Sequence, residues 1–253
     1  MRPNAVKRQL RAGQPSIGTF LSLGSALGAE QLAHVGFDWL VIDQEHAAID
    51  ATLTEHLLQA ISTTATVPLV RVPWNGPDWI KRALDAGAMG VIVPMVSSRE
   101  EAEAVVSACR YPPLGARGIG GTRTRLYGGA DYVQQANEEI LVVVQIETIR
   151  AVEHAREILS VPGIDAYYIG PTDLCASMGL PATWNPDYPE YWRALDEVAR
   201  VGRELRVPSG IHSSGAGVAA MIDRGYQLIA SGYDISFMTE AATAALRAAR
   251  RTP

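Results

Sequence analysis

Gly36-Phe37-Asp38-Trp39-Leu40-Val41-Ile42 is a glycine, two linking residues and an apolar run. The phrase recurs as Gly87-Ala88-Met89-Gly90-Val91-Ile92-Val93, Gly163-Ile164-Asp165-Ala166-Tyr167-Tyr168-Ile169 and Gly225-Tyr226-Gln227-Leu228-Ile229-Ala230. Each glycine reads as a helix C-cap, where the left-handed conformation costs glycine little. Each following run is continuous rather than alternating, as in parallel strands buried on both faces. Further runs at 17–21, 69–72, Leu141–Ile146 and 209–211 bring the strands to eight, with helical patterns such as 98–109, 150–159, 187–205 and 235–250 between or after them. Eight βα units predict an α/β protein, a single-domain (β/α)8 TIM barrel over residues 1–253. The competing doubly wound sheet normally opens its first helix with G-x-G-x-x-G, which Ser22-Leu23-Gly24-Ser25 does not supply.

The composition suits that reading. A chain of 253 residues, 47% hydrophobic and 19% charged, can bury a large core as one domain. A net charge of −5 argues against a nucleic-acid binder, which would carry clustered Lys and Arg, so a small molecule is the expected partner. No apolar stretch approaches the roughly 20 residues that span a bilayer, and the start lacks a signal-peptide core, so a cytosolic, cytoplasmic location is expected, with no membrane partner. Cys109 and Cys175 lie far apart without Cys-x-x-Cys spacing and read as packing residues. The segment 111–130 has no strand or helix periodicity; its Arg117, Arg123 and Arg125 suit an anionic substrate tail or a neighbouring subunit, or are simply solvated.

Active sites of TIM barrels lie at the C-terminal ends of the strands. There the sequence reads Asp43-Gln44-Glu45-His46 after strand two, Arg71 after strand three, Gln145 and Glu147 after strand five, Thr172 and Asp173 after strand six, and His212 after strand seven. Glu147 and Asp173, just beyond Leu141–Ile146 and Ala166–Ile169, suggest a divalent metal site: a hard cation takes oxygen ligands, and two protein carboxylates leave positions for water and substrate. Asp43 and His46 have the spacing of a carboxylate–imidazole dyad. Taken singly, Asp43, Thr148 and Asp173 also read as turn or helix caps and His46 as a structural histidine. His34, His56 and His154 fall within helical patterns.

The runs Phe37-Asp38-Trp39-Leu40-Val41-Ile42-Asp43-Gln44-Glu45-His46, Tyr111-Pro112-Pro113-Leu114-Gly115-Ala116-Arg117-Gly118, Val144-Gln145-Ile146-Glu147-Thr148 and Ile169-Gly170-Pro171-Thr172-Asp173-Leu174 resemble the HpcH/HpaI aldolase family, in order and over nearly the whole chain. The resemblance implies a class II, metal-dependent pyruvate aldolase on a barrel of the phosphoenolpyruvate/pyruvate type. It implies that Glu147 and Asp173 bind Mg²⁺, Mn²⁺ or Co²⁺, that His46 with Asp43 forms the acid/base dyad, and that Arg71 contacts the 2-oxo acid. Backbone amides near Thr172 and Asp173 would hold the substrate carboxylate, with Gln145 and His212 also lining its site. It further implies a homo-oligomer, a hexamer built from trimers, in which Asp85 reaches a neighbouring subunit's metal-water network and the last helix is swapped between barrels.

Two positions depart from the family pattern. Gln44 stands where the family usually has glycine before the Glu-His pair, and His212 where its relatives carry an apolar residue beside the substrate. His212 is therefore expected to alter which aldehyde or 2-oxo acid fits, for example by bonding a hydroxyl, or to be structural. The expected reaction is reversible cleavage of a 4-hydroxy-2-oxo acid to pyruvate or hydroxypyruvate and an aldehyde. A Schiff-base aldolase would need a rim lysine. The two lysines are Lys7, in the N-terminal segment, and Lys81, inside a helix at 79–86, and neither is placed at the rim. Cleavage of a CoA ester of the citramalyl type, decarboxylation of a 2-oxo acid such as oxaloacetate, and a non-catalytic binding role are the alternatives.

Overall fold

The computed structural model describes residues 1–250. Its strands are β1 (Ser16–Leu21), β2 (Trp39–Asp43), β3 (Val67–Arg71), β4 (Gly90–Val93), β5 (Leu141–Ile146), β6 (Ala166–Ile169), β7 (Ser209–His212) and β8 (Leu228–Tyr233). All pair in parallel, and β8 returns to β1 to close the barrel in sequence order. The expected TIM barrel is the fold observed.

The strand runs are continuously apolar because both faces are buried. Trp39, Val41, Val67, Leu69, Leu141, Val143 and Tyr168 point inward and pack on one another across the barrel, while Leu40, Ile42, Val70, Val142, Val144 and Ile169 meet the surrounding helices. Three of the four glycines that open the repeated phrase end helices as expected, with φ of 108° at Gly36, 127° at Gly87 and 92° at Gly225, whereas Gly163 (φ 103°) lies in a turn beyond the helix capped by Ser160.

The helix Ala5–Arg11 closes the N-terminal end of the barrel. Asn4 caps it and donates to the Met89 carbonyl (2.9 Å), while the buried Lys7 ammonium donates to the Ile140 carbonyl (2.9 Å) and pairs with Asp165, just before β6. Lys7 is therefore at the opposite end from the rim. Lys81 lies in the helix Pro77–Ala86.

Two local expectations change. The segment 111–130 contains a short helix, Thr124–Gly128, anchored by the Tyr127 hydroxyl on the Leu84 carbonyl (2.6 Å), so tertiary contact supplies what periodicity lacks. The pattern at 150–159 is two helices, Ile149–Glu153 and Ala155–Leu159, interrupted at His154, whose ring bonds the Arg150 carbonyl (2.9 Å). The last helix, Asp234–Arg250, is tethered at its start, but residues 238–250 are all exposed. Among the described residues no helix is long and apolar enough to cross a membrane.

Candidate active site at the mouth of the barrel

The period of two that sends Trp39 and Val41 inward also sends Asp43 inward at the end of β2; the same parity carries Arg71 on β3, Gln145 on β5 and His212 on β7 to the mouth. Asp43 and Arg71 are paired in register, and both are nearly fully buried. The guanidinium donates to both carboxylate oxygens, Nε to Oδ1 (3.0 Å) and Nη2 to Oδ2 (2.7 Å), and lies 5.0 Å over the Phe20 ring. A bidentate pair of this kind fixes the direction in which the remaining arginine N–H groups point.

Asp43 Oδ1 also accepts the backbone N–H groups of Glu45 (3.1 Å) and His46 (3.3 Å), which folds the residues after β2 into a turn. Asp43 thus holds the main chain of His46 and the side chain of Arg71, while the His46 ring has Glu45 as its neighbour, with Nε2 3.7 Å from Oε2. Glu45 Oε2 is also 3.3 Å from Arg71 Nε. The reason is competition, since both Asp43 oxygens are occupied by a charged, planar donor that the β3 register delivers directly. Gln44, the larger residue in place of glycine, turns away and donates to Thr54 Oγ1 (2.8 Å) on the next helix.

Glu147 is buried, with Oε1 accepting the Met95 N–H (2.6 Å) and Oε2 the Gln145 amide. Met95 holds a positive φ of 58°, a conformation costly for a side chain of its size, and it thereby aims its N–H at the carboxylate. Asp173 lies in the first turn of the helix Pro171–Ser177. Burial pushes the Glu147 carboxyl up to about 7, and the nearby Glu45 and Asp173 charges add to the rise. Burial does the same to Glu45, again to about 7, against the pull of Arg71 and with the help of Asp43 and Asp173. Gly170 comes between them: a Cβ there would collide with Glu147 Oε2 and stand 3.0 Å from Gln145 Nε2.

The donor set therefore fits a hard divalent cation. Carboxylates that repel one another, here the buried Glu147, the half-buried Glu45 and the exposed Asp173, are stabilised as anions by a positive ion, and oxygen donors without thiolate or imidazole suit Mg²⁺, Mn²⁺ or Co²⁺. Among the described residues no three His, Cys, Asp or Glu side chains converge as a complete cage.

The opposite wall of the mouth is aromatic. His212 lies 5.0 Å from Tyr233 and 5.4 Å from Trp184, measured between ring centres, with Phe20 and Tyr168 beneath. These rings, with His46, Arg71, Gln145, Thr172 and Asp173, line one pocket. Glu45, Phe20, Trp184 and Tyr233 are the members that sequence reasoning missed. Glu45 was readable from its place in the Asp43–His46 run. Tyr233 was not, because regular alternation from Ala230 would send it outward; the β1–β8 register shifts, Gly232 adopts φ 141°, and Tyr233 comes round to face Phe20 at 5.4 Å.

Asp85, Arg117 and Arg123 are outside this mouth. Arg117 is buried between the Tyr111 and Tyr132 rings and donates to Asp85 Oδ1 (2.8 Å) and the Tyr132 hydroxyl (3.1 Å). Asp85, Arg123 and Lys81 line a separate cleft on the outer side of the Gln44 turn. Of the alternatives open for Arg117, the solvated one does not hold: it is buried and bonded within its own chain.

Fold and mouth define a barrel enzyme that gathers carboxylates, one fixed arginine and an aromatic wall at one pocket. The chain belongs to the HpcH/HpaI aldolase/citrate lyase family, whose profile matches residues 16–241. It is 40% identical over 245 residues to 4-hydroxy-2-oxo-heptane-1,7-dioate aldolase of Escherichia coli, covering 95% of this chain and 93% of that protein. The enzyme of that name from Klebsiella pneumoniae is 41% identical over 95% of this chain and 92% of its own. The crystal structure of a family protein from Burkholderia cenocepacia J2315 superposes with a TM-score of 0.92 at 37% identity, over 98% of this chain and 99% of that one.

Proposed function

We propose that this protein is a class II aldolase, a carbon–carbon lyase that reversibly cleaves 4-hydroxy-2-oxo acids to a pyruvate-type 2-oxo acid and an aldehyde. The observation that carries the reading is the buried Arg71, paired with Asp43 and 3.3 Å from Glu45, in one pocket with Asp173 and with Gly170, which lies against Glu147. Family membership and the likeness to the heptanedioate aldolases support it.

Glu147 and Asp173 would hold the divalent cation. When bound, the cation supplies Lewis-acid stabilisation of the negative charge that develops on the 2-oxo acid. Arg71, locked by Asp43, places a permanent positive charge beside that developing charge without needing to reorganise. In the cleavage direction His46, with Glu45 beside its ring, takes the proton of the C4 hydroxyl. The C3–C4 bond breaks, its electron pair enters the enolate of the 2-oxo acid, and the C4 fragment leaves as an aldehyde. Protonation at C3 completes the turnover, and the same groups in reverse serve condensation. Backbone amides at Thr172 and Asp173 orient the substrate carboxylate. The setting is a cytoplasmic homo-oligomer, a hexamer of swapped C-terminal helices in which Asp85 serves a neighbour's site.

The test is deuterium exchange at C3 of pyruvate followed by NMR, with Mn²⁺ or Mg²⁺ and after chelation. Exchange that requires metal, with no borohydride trapping of a lysine adduct, is the expected result. Exchange that survives chelation would sink the metal assignment, and no exchange under any metal would sink the aldolase reading.

A further inference from the structure

The pocket holds four buried polar atoms that no protein group satisfies: His212 Nδ1, Thr172 Oγ1, Gln145 Oε1 and the Tyr168 hydroxyl. Leaving such an atom unpaired costs about 1–3 kcal/mol, so a cluster of them in one cavity points to a ligand that supplies their partners. On the aldolase reading, the carboxylate and keto oxygens of a 2-oxo acid are engaged by Arg71, the cation and the chain around Thr172. Nothing on pyruvate itself, whose C3 is a methyl group, is left for His212.

His212 stands on the closed side of the pocket, at the end of β7, between Tyr233 and Trp184 and edge-on to Phe20 at 6.5 Å. Phe20 in turn lies under the Arg71 guanidinium, so this is the side occupied by the acid. His46 lines the same pocket with a side chain 56% exposed, and on the aldolase reading the aldehyde would enter from this solvent-facing part.

We propose that His212 selects a 2-oxo acid bearing a hydroxyl on C3, of which hydroxypyruvate is the smallest, as the nucleophile of this aldolase. The inference rests on the aldolase reading and deepens it. Its substrates in the cleavage direction are 3,4-dihydroxy-2-oxo acids: His46 takes the C4 hydroxyl proton, the bond between the two hydroxyl-bearing carbons breaks, and hydroxypyruvate and an aldehyde leave. Burial, with Arg71 adding to it, keeps the His212 ring neutral. A neutral imidazole has one donor and one acceptor nitrogen, the complement of a hydroxyl, and it does not compete for the carboxylate as a cation would. A site built to bond a hydroxyl rejects the analogue lacking it far more strongly than an apolar pocket rejects one that carries it.

The test compares metal-supported C3–H exchange of hydroxypyruvate and of pyruvate, corrected for exchange without enzyme, in the wild type, His212→Leu and His212→Asn. In the wild type, kcat/KM for hydroxypyruvate is expected to exceed that for pyruvate by tenfold or more. His212→Leu should lower that ratio at least tenfold, and His212→Asn, which keeps a short polar group, should restore part of it. A wild type that prefers pyruvate, or a ratio unmoved in folded His212→Leu, overturns the assignment while leaving the aldolase reading standing. Absence of exchange with either acid in the metal-loaded wild type removes the aldolase reading and this inference with it.

Discussion

Glu147 and Glu45 are where the mouth stores unfavourable charge. Both carboxyls stand near 7 in the fold against 4.5 as the ordinary value, because burial disfavours the anion. The folded state therefore binds more protons than the unfolded chain between these values, and metal-free stability falls as pH rises from 4.5 to 7. His212 has the opposite sign: its ordinary 6.5 falls to about 4, so it costs stability as pH drops through that window. Two carboxylates oppose one imidazole, and the carboxylates dominate. Glu147→Gln removes one of them. Stripped of metal, this variant should melt above the wild type at pH 8, by up to about 3 kcal/mol, with the gap closing towards pH 5. Calorimetry at both pH values checks this, and a gap independent of pH would contradict it. His46→Ala should lower aldol cleavage by about 10²–10⁴-fold. Its effect on metal-supported decarboxylation of oxaloacetate should be much smaller, and equal losses in the two assays would place His46 outside proton transfer.

At the scale of elements, two glycines make the site fit. Gly170 gives Glu147 its room, so Gly170→Ala should disturb cation binding more than folding: Mn²⁺ affinity measured by calorimetric titration drops at least tenfold, while the circular dichroism spectrum is unchanged. Gly232 supplies the irregularity of β8 at φ 141°, and a Cβ there would stand 2.9 Å from the Phe237 ring. Gly232→Ala should cost about 1–3 kcal/mol, a fall of several degrees in Tm for a chain of this size, and should move Tyr233 away from Phe20. Differential scanning calorimetry reads the first effect and near-ultraviolet circular dichroism the second. The β2 end shows how far residue order carries. Asp43, Glu45 and His46 sit together in the sequence, yet their partners depend on Arg71 arriving from β3, which no spacing within 43–46 encodes.

At the scale of the whole molecule, the last helix is the open question. Ile235, Met238 and Leu246 are 44%, 54% and 50% exposed, and they lie on a helix that contacts its own barrel only at the start. In the swapped arrangement proposed above, these side chains would be covered by a neighbouring barrel. On the proposed swapped hexamer, a chain ending at Phe237 should give smaller species than the full-length protein in light scattering behind a sizing column, and it should lose activity if Asp85 acts in a neighbour's site. A full-length protein that is monomeric in solution would refute the swapped arrangement.

The barrel, its eight strands and the placing of Asp43, Arg71, Gln145 and His212 at strand ends were legible in the sequence, because a repeated glycine and a continuous apolar run report local conformation and burial on both faces. Glu147 and Asp173 were legible as carboxylates at strand ends. Other features were decided only in three dimensions: the commitment of Asp43 to Arg71, the seat of Arg117 between two tyrosines, and the turn of Tyr233 into the mouth. Each depends on a partner brought from a distant strand or loop, or on a bulge that reverses parity. Alternation along one strand carries no information about which neighbour closes on it.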